Sequence, residues 1–208
     1  MIIYRDKLLP NKVYHAFNHA VGREYLFRNE RNYYYFLEKY FEYISPIADT
    51  YAYCLMPNHY HFLIKLKTPD FKMSVEEMSD NCQTYKSGQT YNYSHHFKNF
   101  FRSYTGAYNK IYERNGSLFE PRFKRKIVDS KEYFINVLNY IHQNPVHHKF
   151  VDDKEDWKFS SFTNFYSGKN SKLNIEAVYK LFNNKTEFLD IHNLEEAEKF
   201  GLQMELSY

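Results

Sequence analysis

Apolar residues recur along this chain at two spacings, and the order in which those spacings alternate is what most limits its fold. Residues 13–21 (VYHAFNHAV) have a period of two, placing Val13, His15, Phe17, His19 and Val21 on one face, as in a strand. Tyr33, Phe36, Leu37, Tyr40, Phe41 and Ile44 then fall at helical spacing, a full apolar stripe that ends before Pro46. Residues 51–56 (YAYCLM) and 60–66 (YHFLIKL) are short strand-like runs parted by Pro57-Asn58, which reads as a hairpin. Residues 67–93 mix a short helical pattern near Val75 to Tyr85 with a polar, Gly-containing stretch and read as a variable connection. Phe97, Phe101, Tyr104, Tyr108 and Ile111 mark a second helix, stopped at Asn115-Gly116. Residues 122–128 (RFKRKIV) alternate basic with apolar positions as a strand does. Asp129 and Glu132 form a capping box that opens a third helix, predicted to run to Pro145.

The sequence of elements is therefore strand, helix, strand, strand, helix, strand, helix. The first six make the split βαβ (ferredoxin-like) pattern: an α+β fold with a four-stranded antiparallel sheet, two helices on one face, and the third helix as an addition. A Gly/Lys/Asn-rich break near residue 168 divides a domain over 1–167 from a charged, helical C-terminal extension over 168–208. No internal repeat is visible.

The composition narrows the functional classes. With 22 Tyr, 19 Phe and one Trp, a fifth of the chain is aromatic, too much apolar surface for a disordered protein. No run of 18 apolar residues occurs and the first ten residues lack a secretory signal, so a soluble, cytoplasmic protein without a membrane partner is expected. The only cysteines, Cys54 and Cys82, suit a reducing compartment, where Asn-x-Ser/Thr matches carry no glycosylation meaning. The formal net charge of +3 permits a nucleic-acid partner without demanding one. No Walker-type phosphate loop is present.

His59 and His61 are two apart on a strand, so both imidazoles project from one face and could share a metal ion. Ten histidines would produce about half a His-x-His pair by chance, so the pair alone also fits hydrogen-bonded or surface histidines. Phe62, Ile64 and Leu66 take the opposite face toward the core, leaving the histidine face with Leu63 and Lys65. On the third helix, Phe134, Leu138 and Ile141 form the core stripe. Tyr140 lies off its centre, on a second stripe with Tyr133, Val137 and Asn144. Tyr140 therefore need not be a core residue, and the Asn144 amide stands one turn further on the same face. Spacing alone leaves two readings of Tyr140 open, an amphipathic aromatic at the helix edge and a nucleophile. Tyr104 and Tyr108, by contrast, lie on an apolar stripe, where packing is the default.

Four blocks in order, YHAFNHAVGREYLF, YCLMPNHYHFLIKL, SYTGAYNKIYERNGSLFEPRFKRKIVDSKEYFINVLNYIHQNPV and DWKFSSF, resemble the HUH-type single-tyrosine transposases, in particular the REP-associated tyrosine transposase branch. The likeness runs over roughly residues 12 to 167. It implies the HUH endonuclease fold, with His59 and His61 as metal ligands, Tyr60 as the bulky residue between them, Tyr140 as the nucleophile and Asn144 as a third ligand where some relatives carry Gln. Asn18-His19-Ala20 stands where relatives often have Arg-Gly. The activity implied is metal-dependent cleavage and rejoining of single-stranded DNA beside a hairpin. It uses Mg²⁺ or Mn²⁺ and leaves a 5′-phosphotyrosine and a free 3′-hydroxyl. Such a protein would associate with the nucleoid when bound to DNA. Relatives include dimers and monomers, so a homodimer stays open.

Arg122, Lys124, Arg125 and Lys126 put four cations within five positions, and strand alternation would turn Arg122, Lys124 and Lys126 together toward a phosphate backbone. The same pattern also suits an edge strand protected by lysines. His147, His148 and Lys149 follow the third helix and could add DNA contacts. His15 and His19 share a strand face and form the rival metal pair, for which packing or DNA contact is expected. Two alternatives stand beside this reading: a domesticated relative that processes repeated palindromic elements and, from a different class, a noncatalytic nucleic-acid-binding module, since split-βαβ sheets also serve as RNA platforms.

Overall fold

A computed structural model describes residues 5–69, 91–167, 172–192 and 194–205. The helical pattern near Val75 to Tyr85 lies outside the described residues. The elements follow as β1 (Val13–His19), α1 (Glu30–Ile44), β2 (Ala48–Met56), β3 (His59–Leu66), α2 (Tyr93–Ile111), β4 (Lys124–Val128) and α3 (Lys131–His147). Short helices α4 (Asn164–Ser167), α5 (Ile175–Tyr179) and α6 (Lys185–Asp190) lead to α7 (Leu194–Glu205). The strands form one antiparallel sheet in the order β2-β3-β1-β4. Among the described residues no helix is long and apolar enough to cross a membrane.

Strand alternation sorts the sheet into two faces, each covered. Tyr14 and Ala16 of β1 and Tyr60, Phe62, Ile64 and Leu66 of β3 meet α1 and α2 in a core made largely of rings. There Tyr40 stacks on Phe62 at 3.9 Å, and the Tyr104 hydroxyl donates to the Leu26 carbonyl at 2.6 Å, so buried phenols keep a hydrogen bond while contributing apolar area. The opposite face carries Leu63 and packs on Val137, Leu138 and Ile141 of α3, with Phe162, Phe165 and Phe188 closing a second core. The face expected to be left to His59, His61, Leu63 and Lys65 is thus an interior one, because α3 crosses the sheet there.

Both sheet edges are blunted, which removes the unpaired ladder groups that would otherwise recruit another strand. On β2, Leu55 N–H donates to Phe159 O, Ser161 N–H donates to Tyr53 O, and the Trp157 indole donates to Leu55 O. On β4, the Asp6 carboxylate accepts from Ile127 N–H at 2.6 Å.

Several boundaries differ from the sequence expectation. β1 ends at His19, since Val21 already turns out to bond Leu118 O and Gly22 adopts φ +60°. On α2 the buried ring is Phe100, while Ile111, expected on the apolar stripe, is 64% exposed. The N-cap of α3 is Ser130, whose hydroxyl accepts from Tyr133 N–H, rather than Asp129. The same helix continues past Pro145 to His147. The ring removes one helical N–H near the helix end, and the bond from His148 N–H to Asn144 O holds the last turn.

Candidate active site

The β2–β3 turn at Pro57-Asn58 starts β3 at His59, and the register with β1 sets His19 opposite His59 and Phe17 opposite His61. Directly paired residues share a sheet face, so His15, Phe17, His19, His59 and His61 project together toward α3. The His19 ring stacks on His59 at 4.8 Å, and His148, just beyond α3, lies 5.1 Å from His59. Residues far apart in the chain thereby gather into one histidine-rich chamber.

α3 brings its own pair to the chamber. The Asn144 Oδ1 atom is 3.0 Å from His59 Nε2, and the Tyr140 ring stands edge-on to His61 with centroids 5.3 Å apart. The rings of His59 and His61 are 5.2 Å apart and nearly perpendicular. All four predicted residues therefore meet at one place.

Burial holds the imidazoles neutral. His59 is pulled down to about 3 by loss of solvent, then by the neighbouring His19 and His148, against a smaller upward effect of Asn144. His61 is pushed well below its ordinary value by burial and then by His15. Neutral imidazoles offer a lone pair each, which is the form that binds metal.

The donors fit a small divalent ion. Both nitrogens of the His59 ring face amide oxygens, Nδ1 toward Asn58 Oδ1 at 2.8 Å and Nε2 toward Asn144 Oδ1 at 3.0 Å. A neutral imidazole has one N–H, so one of the two contacts opposes lone pairs, and a cation between Nε2 and Oδ1 would relieve it. The Asn144 Nδ2 atom is buried and has no hydrogen-bond partner among the described residues. Among the described residues no three His, Cys, Asp or Glu side chains form a metal-binding group, and the Asn144 amide oxygen is a further donor beside His59.

Tyr140 is only 3% exposed, contrary to its expected place at the helix edge. The cover is α7, which packs along α3. Gly201 sits so close that a Cβ there would meet Tyr140 Cε2 at 2.9 Å, and the Phe200 ring lies 5.8 Å from the Tyr140 ring. His147 faces Glu198 of α7 at 3.9 Å.

The basic segment divides. Lys124 pairs with Phe17 and Lys126 with His15 across the sheet, which puts both lysines on the chamber's face. Lys124 lies 3.7 Å from Glu120, and the Lys126 ammonium sits over the Tyr133 ring at 4.9 Å. Arg125 points to the other face, where its guanidinium donates to Asp6 O at 2.7 Å and covers the Phe123 ring. Arg122 precedes β4 with φ +64°, so the strand alternation expected to align it with the two lysines does not reach it.

No family model matches the chain. It is 26% identical over 114 residues to a REP-associated tyrosine transposase of Haemophilus influenzae, a match covering 55% of this chain and 58% of the relative. Over that stretch the chain is similar to this transposase. A solved structure of such a transposase bound to a REP hairpin superposes with a TM-score of 0.57 over 83% of this chain and 90% of that one, at 18% identity, a likeness of fold. The α+β sheet with its helices, expected from the alternating periods, is the architecture that this chain shares with that structure. Sequence reasoning missed two parts of the chamber. One is the contact of His15 with His61; the other is α7, which meets Tyr140 through Phe200 and Gly201.

Proposed function

We propose that this chain cleaves and rejoins single-stranded DNA beside a hairpin, with Tyr140 as the nucleophile and a divalent ion, Mg²⁺ or Mn²⁺, held by His59, His61 and Asn144. The observation that carries the reading is the meeting of the phenol with the imidazole pair and the amide: Tyr140 is 5.3 Å from His61 between ring centroids, and Asn144 Oδ1 is 3.0 Å from His59. The hairpin is taken from the relative, whose structure contains one.

When bound, the ion polarises a nonbridging phosphate oxygen and stabilises the departing 3′-oxygen. The residues of the chain do the rest. The Tyr140 oxygen attacks phosphorus, the Tyr140–phosphorus bond forms and the bond to the 3′-oxygen breaks. The phenol gives up one proton and the 3′-oxygen takes one up, so the exchange balances. Phosphodiester energy is kept in the covalent ester, and attack by a 3′-hydroxyl reverses the step without a nucleotide. Lys124 and Lys126, on the same sheet face, neutralise backbone phosphates entering the chamber. Because Tyr140 is buried beneath Gly201 and Phe200, α7 must move before DNA reaches the phenol.

The test is a denaturing gel of the purified protein with Mn²⁺ and a hairpin-flanked oligonucleotide. A protein–DNA adduct should form, and Tyr140→Phe should abolish it while hairpin binding survives. An adduct that persists in Tyr140→Phe and disappears in Tyr104→Phe would overturn the assignment of the nucleophile.

A further inference from the structure

We infer that His15 is a positioning residue that fixes the orientation and the tautomer of His61 for metal binding. The inference rests on the metal reading of His59, His61 and Asn144. His15 lies on β1 opposite Leu63, so it reaches His61 diagonally, and its Nε2 atom stands 3.0 Å from His61 Nδ1. The two rings are stacked at 5.1 Å, with Phe17 at 4.8 Å from His15 and the Tyr140 ring edge-on at 6.2 Å.

Two neutral imidazoles share one proton in such a bond, and its position decides what His61 can do. With the proton on His61 Nδ1, its Nε2 carries the lone pair that coordination requires, and His15 is the acceptor. With the proton on His15, His61 keeps its own on Nε2 and cannot be a ligand through that atom. Coordination therefore selects the first arrangement, and His15 is the group that makes it available in the interior.

Packing alone does not account for an imidazole here. His15 is fully buried, and its Nδ1 atom has no hydrogen-bond partner among the described residues. A phenylalanine would fill the same space without stranding a polar atom. The single polar contact of His15 among the described residues is the one to His61. A buried second imidazole whose one bond goes to the back of a metal-binding imidazole is the arrangement by which proteins orient metal ligands.

The experiment compares Mn²⁺ binding by titration calorimetry for the full chain and the variants His15→Phe, His15→Gln and His59→Ala, with thermal melts and hairpin binding measured alongside. Phe keeps the ring volume and loses the acceptor; Gln can place its amide oxygen near the position of Nε2. His15→Phe should weaken Mn²⁺ binding about 10- to 100-fold with hairpin binding unchanged, and His15→Gln should recover most of the loss. Wild-type affinity in His15→Phe, with His59→Ala defective, overturns the positioning role and leaves the metal site standing. Equal losses in His15→Phe and His15→Gln that track a falling melting temperature overturn it in favour of packing. Absence of Mn²⁺ binding in the wild type, with His59→Ala no different, overturns the metal reading itself and the inference with it.

Discussion

Acid should unfold this protein well above the pH at which its carboxylates titrate, because it buries neutral imidazoles. His15, His59 and His192 are each pulled from 6.5 to about 3 by burial, with the positive charge of Lys126 acting on His15 and that of Lys154 on His192. A pKa lower in the folded than in the unfolded state stabilises the fold above 6.5, and that stability drains away as the pH falls from 6.5 toward 3. Between 6.5 and 5 the unfolded chain protonates each such group while the fold does not, which costs about 2 kcal/mol per imidazole at ~1.36 kcal/mol per pH unit. Three groups give about 6 kcal/mol, as large as the whole stability of many domains. His61 and His142, also pushed down by burial, add in the same direction. Urea unfolding followed by circular dichroism at pH 7.5, 6.5, 5.5 and 5.0, in chelator so that metal linkage is excluded, should show the midpoint falling steeply below 6.5. His192→Gln, which removes one titrating ring and keeps an acceptor for His142, should flatten the slope by about one proton. A midpoint that stays level from pH 7.5 to 5.0 would show that the imidazoles are not sealed from water as the structure has them.

Two further changes probe the chamber's surroundings. In an ordinary helix Gly→Ala stabilises by about 1 kcal/mol, but at Gly201 the new Cβ would stand 2.9 Å from the Tyr140 ring, so Gly201→Ala should loosen α7. Hydrogen exchange should rise in α7, and the Tyr140–DNA adduct should form faster; slower exchange with a raised melting temperature would refute the contact. Lys124→Ala should weaken hairpin binding and lower the salt slope of log K by about one, while Arg125→Ala, whose guanidinium serves Asp6 and Phe123, should cost stability and leave that slope alone. The opposite outcome would reverse the two residues' assignments.

Where side-chain period and burial agreed, the sequence was legible. The α1 stripe, the β2–β3 hairpin and the alternation of Phe62, Ile64 and Leu66 against His59 and His61 all follow from spacings of 3.6 and 2, and each reappears in the structure. What depended on register between distant segments was not legible. The diagonal from His15 to His61 exists only because β1 and β3 pair with Val13 opposite Lys65, which neither strand specifies alone. The covering of the second sheet face by α3, and of Tyr140 by α7, is a matter of tertiary docking; the short stripe of Ala197, Phe200 and Gly201 on α7 does not say which surface it covers. Phe100 was missed for a smaller reason, since a run of two adjacent rings lets either define the stripe.

The polar residues buried along α3 explain how a helix packed on a smooth apolar face can present one phenol with the accuracy the chemistry requires. Apolar packing of Val137, Leu138 and Ile141 drives docking but tolerates slippage, because methyl groups interdigitate in more than one register. Directional bonds do not tolerate it. His142 is held between His192 Nε2 and Ser161 Oγ, each at 2.8 Å, and the Gln143 amide donates to His192 O at 2.7 Å. A rotation of α3 by a single residue, about 100°, would leave all of these groups buried and unpaired, at about 1–3 kcal/mol each. Tyr140 lies within one turn of both, so its ring can approach His61 only in the setting those bonds select. The groups that sit beside the proposed chemistry are in this way also the ones that fix the helix bearing the nucleophile.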